Sequence, residues 1–226
     1  IDGRNMNRSF PGSADGSITE KICHFVTTEL VPAADLVLDF HSGGKTLDFL
    51  PFAAAHVLDN KAQEAACMEA MRAFNAPYSC RMLEIDNVGM FDTEVERQGK
   101  TFVTTELGGA GTATAKSVAI ARRGIRNLLQ HAGILPGDPE IGPTIQLDMP
   151  DETCFSVAEH AGLIEYERDL GDRVKQGDVI AKIWSTERTG TAPIPCTARR
   201  DGLLVARHVP GLIKLGDFVG LVADEV

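Results

Sequence analysis

The chain has no cysteine pair at C-x-x-C spacing. Its five cysteines, Cys23, Cys67, Cys80, Cys154 and Cys196, are odd in number and scattered. That argues against both a thiolate zinc cluster and a disulfide framework, and a reducing cytoplasm is the expected setting. No apolar run approaches the ~20 residues of a membrane span, and no signal-peptide pattern opens the chain. Lys and Arg form no basic cluster and the formal charge is -10, which argues against a nucleic-acid surface. His24, His56, His131, His160 and His208 show no metal-ligand spacing with one another and read as structural or solvated.

What remains is the composition of an ordinary globular protein, 43% hydrophobic and 24% charged, with room in 226 residues for one large domain or two modest ones. Ser17-Ile18-Thr19-Glu20 is a capping box, and Ile18, Ile22, Val26 and Leu30 follow at helical spacing until Pro32, which is expected to end the helix. Leu36 to His41 reads as a buried strand that stops at Ser42-Gly43-Gly44. Asp48 to Val57 is a second strand-like stretch, Asn60 caps a helix through Met68, Met71 and Phe74, and Lys100 to Glu106 is β-rich. A helix from about Thr114 to His131 is closed by Gly133. Strands alternating with helices predict an α/β domain with a largely parallel sheet and flanking helices over residues 1–143.

The texture changes near Pro136. Pro136-Gly137-Asp138-Pro139 and Gly142-Pro143 read as a linker, after which strands are short, turns are Gly-Asp and helical periodicity disappears. Val174-Lys175-Gln176-Gly177-Asp178-Val179-Ile180 recurs 39 residues later as Ile213-Lys214-Leu215-Gly216-Asp217-Phe218-Val219. The repeat predicts a small all-β barrel or sandwich with approximate twofold symmetry over 151–226.

Three places could carry chemistry. His41 lies where open α/β sheets bind ligands, at the C-terminal end of a strand, with Asp39 on the same face to hold a ring nitrogen; it is either a metal ligand or a histidine hydrogen-bonded at a strand end. Glu106 ends a β run before Gly108-Gly109, and is either a general base or a salt-bridged glutamate. Asn7-Arg8 suits a substrate carboxylate, or is a surface loop.

Taken together, Asn5-Met6-Asn7-Arg8-Ser9-Phe10-Pro11-Gly12, Asp39-Phe40-His41-Ser42-Gly43-Gly44 and Thr105-Glu106-Leu107-Gly108-Gly109 resemble, in order, the motifs of the succinylglutamate desuccinylase/aspartoacylase family of zinc carboxypeptidase-like hydrolases. The resemblance covers essentially the whole chain. It implies a carboxypeptidase-like fold and hydrolysis of the amide of a small N-acyl amino acid, with N-acetyl-diaminobutyrate the substrate it points to most closely. It further implies one zinc, with His41 as the third ligand, Glu106 as the catalytic glutamate, and Asn7 and Arg8 as the pair that holds the substrate carboxylate. Arg4 is one candidate for the arginine that steadies the oxyanion; another is an arginine upstream of Ile1.

The family's first two zinc ligands come from a His-x-x-Glu motif before the Asn-Arg segment, and nothing here matches it. The chain opens at Ile1 and reads as beginning in mid-domain, so weak zinc binding and little activity are expected of this piece alone. The segment from about Glu152 resembles biotinyl/lipoyl-like barrels, but Ser185-Thr186-Glu187-Arg188-Thr189-Gly190 holds no modifiable lysine. A lid or interface role is therefore expected in place of a carrier role. The alternatives are a zinc carboxypeptidase and a non-catalytic binding protein that keeps the carboxylate site. No nucleic-acid or membrane partner is expected, and a homo-oligomer is left open.

Overall fold

The helix caps read from the sequence are formed in the computed structural model, which describes residues 1–83 and 87–226. Ser17 accepts from the Glu20 N–H and the Glu20 carboxylate returns to the Ser17 N–H at 2.8 Å, starting α1 (Ile18–Phe25). The helix does not stop at Pro32. It passes through a π turn (Val26–Leu30) into a last turn, α2 (Val31–Ala33), with Pro32 near the start of that turn, where its missing N–H is not needed. Its buried side chains are Cys23, Thr27 and Val31, whereas Ile18, Ile22 and Leu30 are exposed. Of the four stripe residues Ile18, Ile22, Val26 and Leu30, Val26 is the one packed against the core, half-buried.

Two strands stand where one was read after His41. Pro51 separates β2 (Leu47–Phe49) from β3 (Phe52–His56), and the two pair with different halves of the molecule. β1 (Leu36–His41) precedes them. After them come α3 (Lys61–Phe74), β4 (Tyr78–Met82), α4 (Phe91–Arg97), β5 (Thr101–Glu106) and α5 (Ala115–His131). β1 runs parallel to β5, and β3 parallel to β4, while β3 and β5 are antiparallel, so the sheet is mixed. Among the described residues β1 pairs only with β5, and it is accordingly half-buried rather than buried on both faces. α3 and α5 pack on each other over one face, where Phe74 is fully buried; truncating such a ring costs about 3–5 kcal/mol. α4 lies against β5, with the Phe91 and Phe102 ring centroids 6.0 Å apart.

The stretch between the two expected regions is itself a strand. β6 (Ile145–Met149) runs parallel to β4 on one side and antiparallel on the other to the last strand of the chain, β14 (Phe218–Glu225). The main sheet thereby continues without a break into the C-terminal half.

That half contains, besides β14, the strands β7 (Phe155–Val157), β8 (Gly162–Tyr166), β9 (Arg173–Val174), β10 (Val179–Trp184), β11 (Ile194–Thr197), β12 (Gly202–His208) and β13 (Leu212–Ile213). The order β1-β5-β3-β4-β6-β14-β12-β2, with β7 on β14 and β9 on β12, makes one ten-stranded sheet; β11-β10-β8-β13 makes a four-stranded sheet. Ile180, Ile183, Leu204, Ile213 and Val222 are buried between them. The sequence repeat is structural: Asp178 caps the Lys175 N–H at 3.1 Å and Asp217 caps the Lys214 N–H at 2.9 Å. The observed arrangement is thus two facing sheets, one of them shared with the α/β part.

Candidate active site

β1 and β5 end together, with His41 and Glu106 as register partners on adjacent parallel strands. Paired residues project from the same face, so Asp39, His41 and Glu106 share one side of the sheet with Phe52, the partner of Glu106 on β3. The loops that follow are stapled to each other. Leu107 N–H donates to His41 O at 3.1 Å, and Gly43 N–H donates to Gly108 O at 2.9 Å. This closeness needs glycine: a Cβ on Gly43 would stand 2.2 Å from Leu47 O, and one on Gly109 would stand 2.1 Å from the same oxygen.

His41 Nε2 lies 2.8 Å from Asp39 Oδ2. A carboxylate only accepts, so Nε2 carries the hydrogen and the neutral ring presents its lone pair at Nδ1. The hydrogen bond to Asp39 raises the His41 pKa; burial opposes this, and the charges of Asp39, Glu106 and Asp92 add to the rise. Glu106 behaves differently. Burial pushes its pKa up to about 7, with His41 pulling it down and Asp39 pushing it further up. Its Oε2 is buried with no hydrogen-bond partner among the described residues. An orphaned buried carboxylate oxygen at a strand end costs stability, and in a cleft it marks a group waiting for a ligand.

Asn7 and Arg8 belong to a segment tied to the start of α4. Asn7 Oδ1 accepts from Phe91 N–H at 2.8 Å, and Phe10 N–H donates to Gly89 O at 3.0 Å, so the segment is stitched to the start of that helix. The next residue, Asp92, is buried and is one of the charges felt by His41. Arg8 is exposed, with Nη1 donating to Asn7 O at 2.6 Å. Arg4 is tied elsewhere: it forms an exposed ion pair with Glu20 of the α1 capping box at 3.2 Å. Asp92 escaped sequence reading because α4 carries no cap signal; no side-chain cap bond forms at Met90.

Beside Glu106 a cavity of about 190 Å³ opens between the sheet and the C-terminal half, lined by Phe52, Met82 and Met149 from one side and Phe155, Phe218 and Leu221 from the other. As to metal, His41 Nδ1 suits a zinc ligand and Glu106 Oε2 lacks a partner. Among the described residues, however, no three His, Cys, Asp or Glu side chains converge as a metal site. A catalytic zinc site normally takes three protein ligands, more than the described residues bring together here.

The model of the succinylglutamate desuccinylase/aspartoacylase catalytic domain matches residues 1–132, the stretch that holds Asn7, Arg8, Asp39, His41, Asp92 and Glu106. The chain belongs to that family. It is 51% identical, along its whole length and over 67% of the relative, to the N-alpha-acetyl-L-2,4-diaminobutyric acid deacetylase of Halomonas elongata. The product-bound ectoine utilization protein EutE (DoeB) of Ruegeria pomeroyi superposes with a TM-score of 0.96 at 56% identity, over 99% of this chain and 68% of that one. A succinylglutamate desuccinylase from Silicibacter gives 0.95 at 54%, over 100% and 69%. The Halomonas relative is named as a deacetylase and the Silicibacter one as a desuccinylase, both hydrolases of amide bonds, and the chain spans about two thirds of the length of all three. No helix among the described residues is long and apolar enough to cross a membrane.

Proposed function

We propose that the protein removes the acetyl group from N-acetyl-diaminobutyrate, with Glu106 as the proton carrier. The observation that carries this reading is the Glu106 carboxylate, buried and unpartnered at Oε2, next to the Asp39–His41 pair on the fold of amide hydrolases. A pKa near 7 suits a group that must take and return a proton at neutral pH.

In the reaction Glu106 takes a proton from a water as the water oxygen bonds to the amide carbonyl carbon. It returns that proton to the nitrogen as the C–N bond breaks, leaving acetate and a free amine. Asn7 and Arg8 hold the amino-acid carboxylate and so fix the scissile bond over Glu106. Asp39 keeps His41 in the tautomer whose Nδ1 points its lone pair outward. Zinc, with His41 as one of its ligands, would supply a Lewis acid that polarises the carbonyl and acidifies water. The C-terminal half serves as a wall over the site, one that excludes peptides.

The test is acetate release from N-acetyl-diaminobutyrate by the full-length protein and its Glu106→Gln variant. The variant should lose nearly all turnover while keeping its fold and metal content, because an amide keeps the shape but cannot carry the proton. Substantial kcat in the variant would assign the proton to another residue.

A further inference from the structure

Among the described residues the cavity beside Glu106 has one charged residue in its lining, Glu106 itself; the other described lining residues are apolar. It is also placed with direction. Phe52, the register partner of Glu106, forms its floor next to the carboxylate, and Met82 and Met149 extend that floor across β4 and β6. Phe155 and Phe218 close it from above, with ring centroids 5.2 Å apart. Asn7, whose side chain accepts from the Phe91 N–H at the start of α4, and Arg8 are not among the residues that line the cavity. A substrate whose carboxylate sits at Asn7 and Arg8, outside the cavity, and whose amide carbon sits at Glu106, leaves this cavity to its acyl tail.

We propose that the cavity is an acyl chamber that takes uncharged straight-chain acyl groups well beyond acetyl, and that rejects acyl groups carrying a second carboxylate. The inference rests on the reading of Glu106 as the reacting carboxylate. Its size is the first argument. At about 190 Å³ it exceeds the ~150 Å³ apolar cavities that stay dry and take up benzene, so a tail of about six carbons fits. Its chemistry is the second. A succinyl carboxylate would be stripped of water, meet no cation or donor among the lining side chains, and face Glu106. Its walls are the third: the flexible, unbranched side chains of Met82 and Met149 adapt to chains of different length better than branched side chains do.

The test separates binding from turnover by using simple amides as probes on this chain. With the methionine methyls labelled with carbon-13, hexanamide should shift Met82 and Met149 and leave Met6 and Met71 in place. Affinity should tighten about fourfold per methylene from acetamide through butanamide to hexanamide, the value of a buried CH₂. Succinamate, the same length as butanamide, should bind at least about tenfold more weakly, the discrimination expected when a polar group is buried unpaired. Ala206→Leu, which fills the chamber from β12, should weaken hexanamide and spare acetamide; Leu221→Ala, which enlarges it, should move the best length upward. Hexanamide shifts confined to other methionines, or succinamate binding as well as butanamide, would overturn the proposal even if both variants misfold. In the full-length protein, hydrolysis of an N-acetyl but not an N-hexanoyl amino acid would also count against it. Hexanamide bound at Met82 and Met149 with no amide hydrolysed by the full-length protein would keep the chamber and remove the catalytic reading instead.

Discussion

Asp39 Oδ2 accepts the Nε2–H of His41 at 2.8 Å, within one strand and two residues apart. This bond is the largest cause of the raised His41 pKa. Asp39→Ala should lower that pKa, read from the ring proton shifts in a pH titration of this chain. In the full-length protein the same change should weaken metal binding by about ten- to a hundredfold, as loss of a ligand's partner commonly does. An unchanged His41 titration would mean that Glu106 and Asp92 set its charge.

Glu106 makes the stability of this chain pH-dependent in an unusual direction. Its native pKa, about 7, lies above the ordinary 4.5 because burial disfavours the charge. A raised carboxylate pKa contributes stability that is complete below pH 4.5 and is lost as the pH rises through 7. The loss amounts to about 3 kcal/mol at most. Glu106→Gln removes this titration, so its stability relative to the parent should rise by that order between pH 4.5 and pH 8. Parallel stability curves for parent and variant, measured by urea unfolding at several pH values, would sink the assignment.

Asn7 should show a structural role besides recognition, and Arg8 recognition alone. Asn7→Ala leaves the Phe91 N–H at the start of α4 without its side-chain acceptor, and should cost about 1 kcal/mol in denaturant unfolding. Arg8→Ala in the full-length protein should raise KM strongly for an N-acetyl amino acid and little for its amide, which lacks the carboxylate. Equal losses on both would indicate that Arg8 supports the fold.

Arg4 offers a contrast. Its partner Glu20 already serves the capping box, and the pair is exposed. Arg4→Ala should change stability by under about 1 kcal/mol. A loss of turnover from this substitution, with zinc content unchanged, would restore it as the oxyanion residue; unchanged kcat would leave that role to another group.

Much of this was legible in the chain, and for physical reasons. Ser17, Asn60 and Thr114 announce helices because their side chains bond locally to the backbone, and all three do so here. His41 and Glu106 could be placed at strand ends because glycines follow both. Their pairing in register could not be read, since it depends on β1 and β5 meeting across some sixty intervening residues. The same holds for Asp92, whose helix has no cap, and for β6, whose Pro/Gly-rich surroundings look like a linker until β4 and β14 pair with it. The stripe Ile18, Ile22 and Leu30 shows the converse failure: periodicity gives an apolar face, but not what covers it.

The last prediction concerns the junction of the two halves. Leu47 O accepts the Ala110 N–H at 3.0 Å, and β2, which starts at Leu47, pairs with β12 of the C-terminal half. The loops after His41 and Glu106 are therefore held against the first residue of β2, next to Thr46, whose carbonyl accepts the Val209 N–H of the C-terminal half at 2.9 Å. Gly109→Ala would place a methyl 2.1 Å from Leu47 O, so either β2 or the Glu106 loop must move. Gly190→Ala is the control, because that glycine has a φ of +75° and no neighbour within 4 Å of an added Cβ. Its cost should be only the conformational one, about 1 kcal/mol. Gly109→Ala should cost clearly more, and should also alter the Met82 and Met149 methyl signals through displacement of β2. If the two substitutions prove equally mild and those methyl signals stay put, the Leu47 carbonyl is not the clamp that joins the catalytic strand ends to the C-terminal half.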